Sequence, residues 1–232
     1  MQRLSERLLA AASLVPDGAA LADIGTDHGF LPISLCETGR IRKAFAMDVA
    51  EGPLSRAKAH ILEAGLQERI EVRRSDGLSE LKPGEADTVS LLGMGGALIM
   101  RILTANDPRT LGIRTLLLGP QSEVKHVRAF LLQKGYVIET ERLVEEDGKF
   151  YFLLLVDKDG AGEPPYSEAE LLYGRNLLSG KDATLQRFLR WRLQVLEEIR
   201  RELSSSGSAA GKERLNEIGD EIRIIKEIEH GG

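Results

Sequence analysis

Short apolar runs alternate with amphipathic stretches from residue 19 to residue 134, and that rhythm leaves few architectures open. Runs at 19–25, 43–49, 69–75, 86–94 and 114–120 read as strands, and helical patterns fill 28–38, 53–65, 96–105 and 123–134. Several strand runs are apolar throughout, as strands covered on both faces of a parallel sheet must be. The expected core is therefore a doubly wound α/β sheet. The pattern then breaks. Residues 136–147 and 149–158 are two strand runs with Gly148 between them and no helix, which spells a β-hairpin.

Residues 159–167 carry the Gly and Pro content of a linker, so a domain at 1–160 is expected to be followed by a second at 161–232. Beyond it, Leu185, Leu189, Leu193, Leu196, Ile199 and Leu203 recur at helical spacing, as do Leu215, Ile218, Ile222, Ile225 and Ile228. Two such helices flanking the connector SSSGSAAGK should fold back as an antiparallel coiled-coil hairpin. The same stripes could close within one chain or between two, so a monomer or a weak homodimer is expected. The chain's 232 residues, 42% of them apolar, suffice for one good core and a smaller appendage. The opening segment is amphipathic and charged, and no apolar run approaches membrane-spanning length, so a cytoplasmic protein without a membrane span is expected. The single cysteine, Cys36, permits neither an internal disulfide nor a thiolate metal cluster, and no metal is expected. Cys36 reads as a small core residue. A net charge of −5 argues against coating nucleic acid by bulk attraction, while leaving room for local basic patches.

The chemistry concentrates in LADIGTDHGFLP. A strand ending in Asp23, followed by Gly25, Thr26 and Gly29 at a helix start, makes a turn whose backbone N–H groups face a ligand at the carboxyl edge of the sheet. The pattern is D-x-G-x-D-x-G, not the dinucleotide fingerprint G-x-G-x-x-G. It fits the methyltransferase loop D-x-G-x-G-x-G in register, with Asp27 where the middle glycine is usual. A parallel sheet that ends in an antiparallel hairpin is likewise the layout of the class I Rossmann-like methyltransferases, which have seven strands. Asp48 closes the second strand at the distance where an acid meets a ribose diol. Asp76, beside Gly77, closes the third and can reach the exocyclic amine of an adenine. All three acids also suit capping roles at strand and helix ends. After the fourth strand, Gly93 and Met94 read as a wall against the cofactor, and Gly95 and Gly96 as space for a flat base.

Together ADIGTDHGFLP, AMDVAEGPLSRAK, SDGL, GMGG and the C-terminal helical pair resemble the bacterial tRNA (adenine-22, N1)-methyltransferase family, known as TrmK, from about residue 3 to the end. The resemblance implies a class I methyltransferase fold, S-adenosyl-L-methionine as cofactor, tRNA as partner, and methylation of N1 of an adenine in the D-arm region. One segment departs from it, because GPQSE at 119–123 replaces the QPN-like sequence of the family and puts a role for Gln121 in doubt. For such a reaction Asp27 is the candidate to stabilise positive charge on the methylated base or to take a proton from its amine. His28 is the candidate to hydrogen-bond the base or to hold Asp27. Phosphate contacts are expected from Arg3, Arg7, Arg40, Arg42 and Lys43, and from Arg175, Lys181, Arg187, Arg190, Arg192, Arg200 and Arg201 on the appendage, with Arg187 and Arg190 foremost. Three other readings stand beside this one: a methyltransferase acting on ribosomal RNA or another base, a nicotinamide-dependent oxidoreductase, and a noncatalytic scaffold that senses S-adenosylmethionine.

Overall fold

The computed structural model describes residues 4–158, 164–204 and 209–230. These form two compact units, Met1–Pro165 and Tyr166–Gly232.

In the first unit a seven-stranded sheet runs in the order β3-β2-β1-β4-β5-β7-β6, built from β1 (Ala19–Ile24), β2 (Ile41–Asp48), β3 (Ile70–Arg74), β4 (Thr88–Met94), β5 (Thr115–Pro120), β6 (Val137–Glu146) and β7 (Lys149–Asp157). Strands β1 to β5 pair in parallel, and β7 pairs antiparallel with both β5 and β6. This is the expected fold class, and every residue of β1 is buried, as a two-sided parallel strand requires. The hairpin turns on Asp147 (φ 51°) and Gly148 (φ 70°). Two central residues with positive φ match the twist of the flanking strands, and Asp-Gly is the pair that adopts them at least cost.

Helices cover both faces. On one, α1 (Glu6–Leu14), α2 (Phe30–Glu37) and α3 (Glu51–Glu63) set Ala11, Leu35, Ala57 and Ile61 into a cluster with Leu21, Ala46, Leu117 and Leu153. Each such aliphatic side chain withdrawn from water contributes about 1.5–3 kcal/mol before entropy is counted. On the other, α4 (Gly96–Ala105) and α5 (Val124–Gln133) pack on each other and bury Ile99, Val127 and Leu131. The sequence places the start of α3 at Pro53, yet the helix begins at Glu51, because a proline in the first helical turn has no N–H bond to lose. Cys36 is 1% exposed and its thiol is pushed up by burial, which makes it the core residue expected.

Two of the arginines expected on phosphate also hold the fold together. Arg40 donates to the carbonyls of Ala12 (2.7 Å) and Val15 (2.6 Å) at the end of α1 and pairs with Asp17. Arg42 binds the Gly18 carbonyl and the Asp87 carboxylate.

The second unit comprises α6 (Glu168–Tyr173), α7 (Arg175–Ser179), α8 (Ala183–Ser204) and α9 (Ala209–His230). Helix α6 opens with a capping box between Ser167 and Glu170. Leu185, Leu189 and Leu196 of α8 and Ile218, Ile222 and Ile225 of α9 are buried, and Arg192 crosses to Glu221 with N–O distances of 2.7 and 2.9 Å. Arg192 and Arg175, the latter held by Glu170 at 2.6 Å, therefore brace this unit. Among the described residues no helix is long and apolar enough to cross a membrane, and no group of three or more His, Cys, Asp or Glu side chains is placed to hold a metal.

Candidate active site

The sheet order reverses between β1 and β4, and in open α/β sheets ligands settle at the carboxyl edge of such a switch point. Asp23 sits there, 7% exposed, with Ser90 as its register partner on β4. Ser90 Oγ donates to Asp23 Oδ1 (2.7 Å). Burial raises the Asp23 pKa above the usual carboxylate value, against the opposing effect of the Ser90 hydrogen bond. Gly25 and Thr26 then turn the chain by donating both N–H groups to the Met47 carbonyl, at 2.8 and 3.0 Å. Gly25 holds φ at +76°, and a Cβ there would lie 2.8 Å from Met94 Cε. The backbone conformation thus favours glycine, while the flexible end of Met94 could yield to a side chain. Gly29 caps α2.

Asp27 and His28 form the crown of this turn. Asp27 is well exposed, and its Oδ1 accepts from both Nε and Nη2 of Arg56 on α3. That hydrogen-bonded guanidinium holds the Asp27 carboxyl below its ordinary range, reinforced by the nearby His28. His28 Nε2 lies 3.3 Å from Asp27 Oδ2. Its ring stacks on Phe30 (4.9 Å between centroids) and on His60 (5.4 Å). His60 Nδ1 is 3.0 Å from the His28 carbonyl, so that nitrogen carries the proton and donates. His28 Nδ1 is itself buried and has no hydrogen-bond partner among the described residues.

These residues line a cavity of about 500 Å³, within the range of small-ligand sites. Asp23, Gly25, Thr26, Asp27, His28 and Gly29 form one wall, and Gly93, Gln121, Arg7 and Tyr151 stand around the rest. The Arg7 guanidinium lies over the Tyr151 ring at 4.7 Å, and the Arg7 backbone N–H donates to Glu146. Asp48 and Asp76 stand at the ends of the next two strands, beyond the lining of this cavity. Asp48 Oδ1 accepts the Ala50 N–H (2.7 Å), Asp76 is exposed, and Gly77 is buried against Ile102. Met94 ends β4 with its carbonyl accepting from Gln121 N (2.9 Å).

Gly95 caps α4 beside Ser122, but Gly96 does not offer space to a base. It is buried, and a Cβ on it would meet the Ser122 carbonyl at 2.6 Å and Val127 Cγ2 at 2.8 Å, so its smallness serves the packing of α4 on α5. Arg3 lies outside the described residues. Arg187 and Arg190 belong to the second unit, both exposed on α8, and Arg190 borders a cavity of about 1050 Å³ between α6, α8 and α9. That larger cavity carries neither a glycine turn nor strand-end acids, so the chemistry belongs to the smaller one.

Sequence reasoning overlooked Ser90, Arg56, Phe30, His60 and Tyr151. Ser90 was legible as a polar residue in the middle of a mostly apolar strand. The other four gain their roles only when α3 and β7 are brought to the turn.

Residues 21–227 match the TrmK family, described as tRNA (adenine(22)-N(1))-methyltransferase. The chain is 36% identical to the tRNA (adenine(22)-N(1))-methyltransferase of Bacillus subtilis (strain 168), over 99% of this chain and 98% of the relative. Its structure superposes on that of the B. subtilis M1A22 tRNA methyltransferase TrmK with a TM-score of 0.88 and 34% identity, covering 98% of this chain and 99% of the other. M. capricolum TrmK, solved with its natural cofactor product S-adenosyl-homocysteine, matches with a TM-score of 0.85 and 28% identity over 98% and 99% of the two chains.

Proposed function

Since this chain belongs to the tRNA (adenine(22)-N(1))-methyltransferase family, we propose that it transfers a methyl group from S-adenosylmethionine to N1 of adenine 22 of tRNA. The observation that carries the reading is the switch point of the sheet, where the buried Asp23 at the end of β1, two N–H groups fixed on β2 and a glycine held at positive φ meet.

The residues present fit the cofactor. Asp23 is a buried carboxylate with no basic side chain paired to it among the described residues, and so suits the ammonium of the methionine moiety. Gly25, Thr26 and Gly29 leave backbone surface for close approach, with Gly93 and Met94 behind them. Asp48 has Oδ2 to spare for a ribose hydroxyl, and Asp76 beside Gly77 serves the adenine end. When bound, the cofactor supplies a sulfonium methyl, whose bond to sulfur breaks as the bond to N1 forms, leaving S-adenosylhomocysteine and a positively charged base.

The protein's contribution is positioning and charge. The N1 lone pair lies in the ring plane and is unprotonated at neutral pH, so no base is needed before the bond forms, and orientation dominates. Asp27, kept ionised by Arg56, is a weak proton acceptor but a standing negative charge. It stabilises the cationic product and acts least as a base. His28 lines the cavity with its Nε2 beside Asp27 Oδ2, and so holds that carboxylate at the edge of the site. Arg7 contributes a cation over Tyr151 at the cavity wall for the substrate phosphate, with Arg3 alongside it in sequence.

The second unit, residues 166–232, acts as the RNA brace, with Arg187 and Arg190 on the phosphate backbone. The protein works in the cytoplasm as a monomer or weak homodimer. The experiment is nucleoside mass spectrometry of tRNA incubated with the protein and S-adenosylmethionine. 1-Methyladenosine is expected; methyl incorporation into ribosomal RNA alone, or into no RNA, would refute the assignment.

A further inference from the structure

We propose that Gln121 selects the substrate base by reading its Hoogsteen edge, an inference that rests on the adenine-N1 reading above. A methyltransferase acting on N1 must identify adenine without occupying N1. That requirement excludes the usual Watson–Crick contacts and leaves the exocyclic N6 amine and N7, a donor and an acceptor side by side. A carboxamide is the side chain that matches this pair bidentately, its oxygen accepting from N6–H and its NH₂ donating to N7.

Among the described residues Gln121 is the one carboxamide on the cavity wall, which it shares with the 25–29 turn. Its backbone is fixed, because its N–H donates to the Met94 carbonyl at 2.9 Å and the preceding Pro120 is in register with Met94. Its side chain is exposed and makes no hydrogen bond among the described residues. Gly93 beside it has no side chain, and a Cβ there would come within 3.8 Å of Gln121 Nε2. The amide is thus placed, unpartnered and open to the cavity. Guanine would present two acceptors, O6 and N7, and one NH₂ cannot satisfy both in the same bidentate geometry.

The test compares parent, Gln121→Ala and Gln121→Glu on tRNA carrying either adenosine or 7-deazaadenosine at the methylated position. Gln121→Ala is expected to lose about tenfold or more in kcat/KM on adenosine. On 7-deazaadenosine, which lacks the N7 acceptor, the ratio of parent to Ala variant should shrink at least threefold. Gln121→Glu, whose second oxygen would face the N7 lone pair, should be as poor as Ala on adenosine and recover relative to the parent on 7-deazaadenosine. Affinity for S-adenosylhomocysteine, read by calorimetry, should be unchanged in both variants. An equal penalty on both tRNAs, no penalty on either, or a parallel loss of S-adenosylhomocysteine affinity would overturn the proposal. Absence of methyl transfer by the parent to unmodified tRNA would instead sink the functional reading itself.

Discussion

Asp27 sits in a loop position where small size is the rule, and its placement decides how the reaction must be described. Its carboxylate faces Arg56 and His28 and remains ionised well into acid, so its charge is constant through the working pH range. Replacing it with alanine or asparagine is expected to lower turnover by roughly 10²–10³-fold while leaving S-adenosylhomocysteine affinity near that of the parent, as loss of a charge felt mainly in the transition state should. A fall in affinity with turnover unchanged would contradict this. The sign of the pH dependence follows from the same pairing. A carboxyl whose pKa is lowered stays charged as pH falls through the ordinary carboxylate range, so the parent should show no Asp27-linked acid limb near pH 4–5. Arg56→Ala removes the main cause of the lowering, and its kcat profile should gain an acid limb at higher pH than the parent's. Coincident profiles would remove Arg56 from that role.

Among the elements, α5 and β6 meet through an ion pair that tolerates no half-removal. Arg128 Nε and Glu141 Oε1 are 2.7 Å apart, with side chains 0% and 1% exposed, and the guanidinium lies over the Phe152 ring. Glu141→Ala removes the carboxylate from beside a buried cation and should destabilise the first unit by about 3–5 kcal/mol in urea titrations. Arg128→Met combined with Glu141→Leu should recover most of that loss; a single variant as stable as the parent would show the pair to be dispensable. No periodicity announces such a pair, since arginine and glutamate in amphipathic stretches ordinarily read as solvated. What could be read was whatever follows from local chemistry: the apolar runs of β1, β4 and β5, the Asp147–Gly148 turn, and the glycines at 25 and 29. The capping box at Ser167–Glu170 was equally local but went unread, so α6 and α7 were not anticipated. That Arg40, Arg42, Arg175 and Arg192 also hold the fold was not legible, because charge on a sequence says nothing of the carbonyl or carboxylate that folding will bring to it. Gly96 was misread for the converse reason: a glycine that admits a ligand and one that admits a neighbouring helix look alike until α5 is in place.

On the proposed function, the division into two units separates two tasks. The first holds the glycine turn, the acids and the cavity, and the second holds the exposed arginines of α8. Deleting residues 163–232 should leave S-adenosylhomocysteine binding within a few-fold of the full chain and abolish methylation of tRNA; full activity in the truncated protein would show that the helices have another purpose. The substrate position can be read on the RNA itself, because a methyl on N1 occupies the Watson–Crick edge and halts reverse transcription. Primer extension on a tRNA with adenine at position 22, after incubation with the protein and S-adenosylmethionine, should give a cofactor-dependent arrest at that nucleotide and none in a tRNA carrying guanine there. An arrest at a different adenine, or full-length extension with the cofactor present, would contradict the assignment.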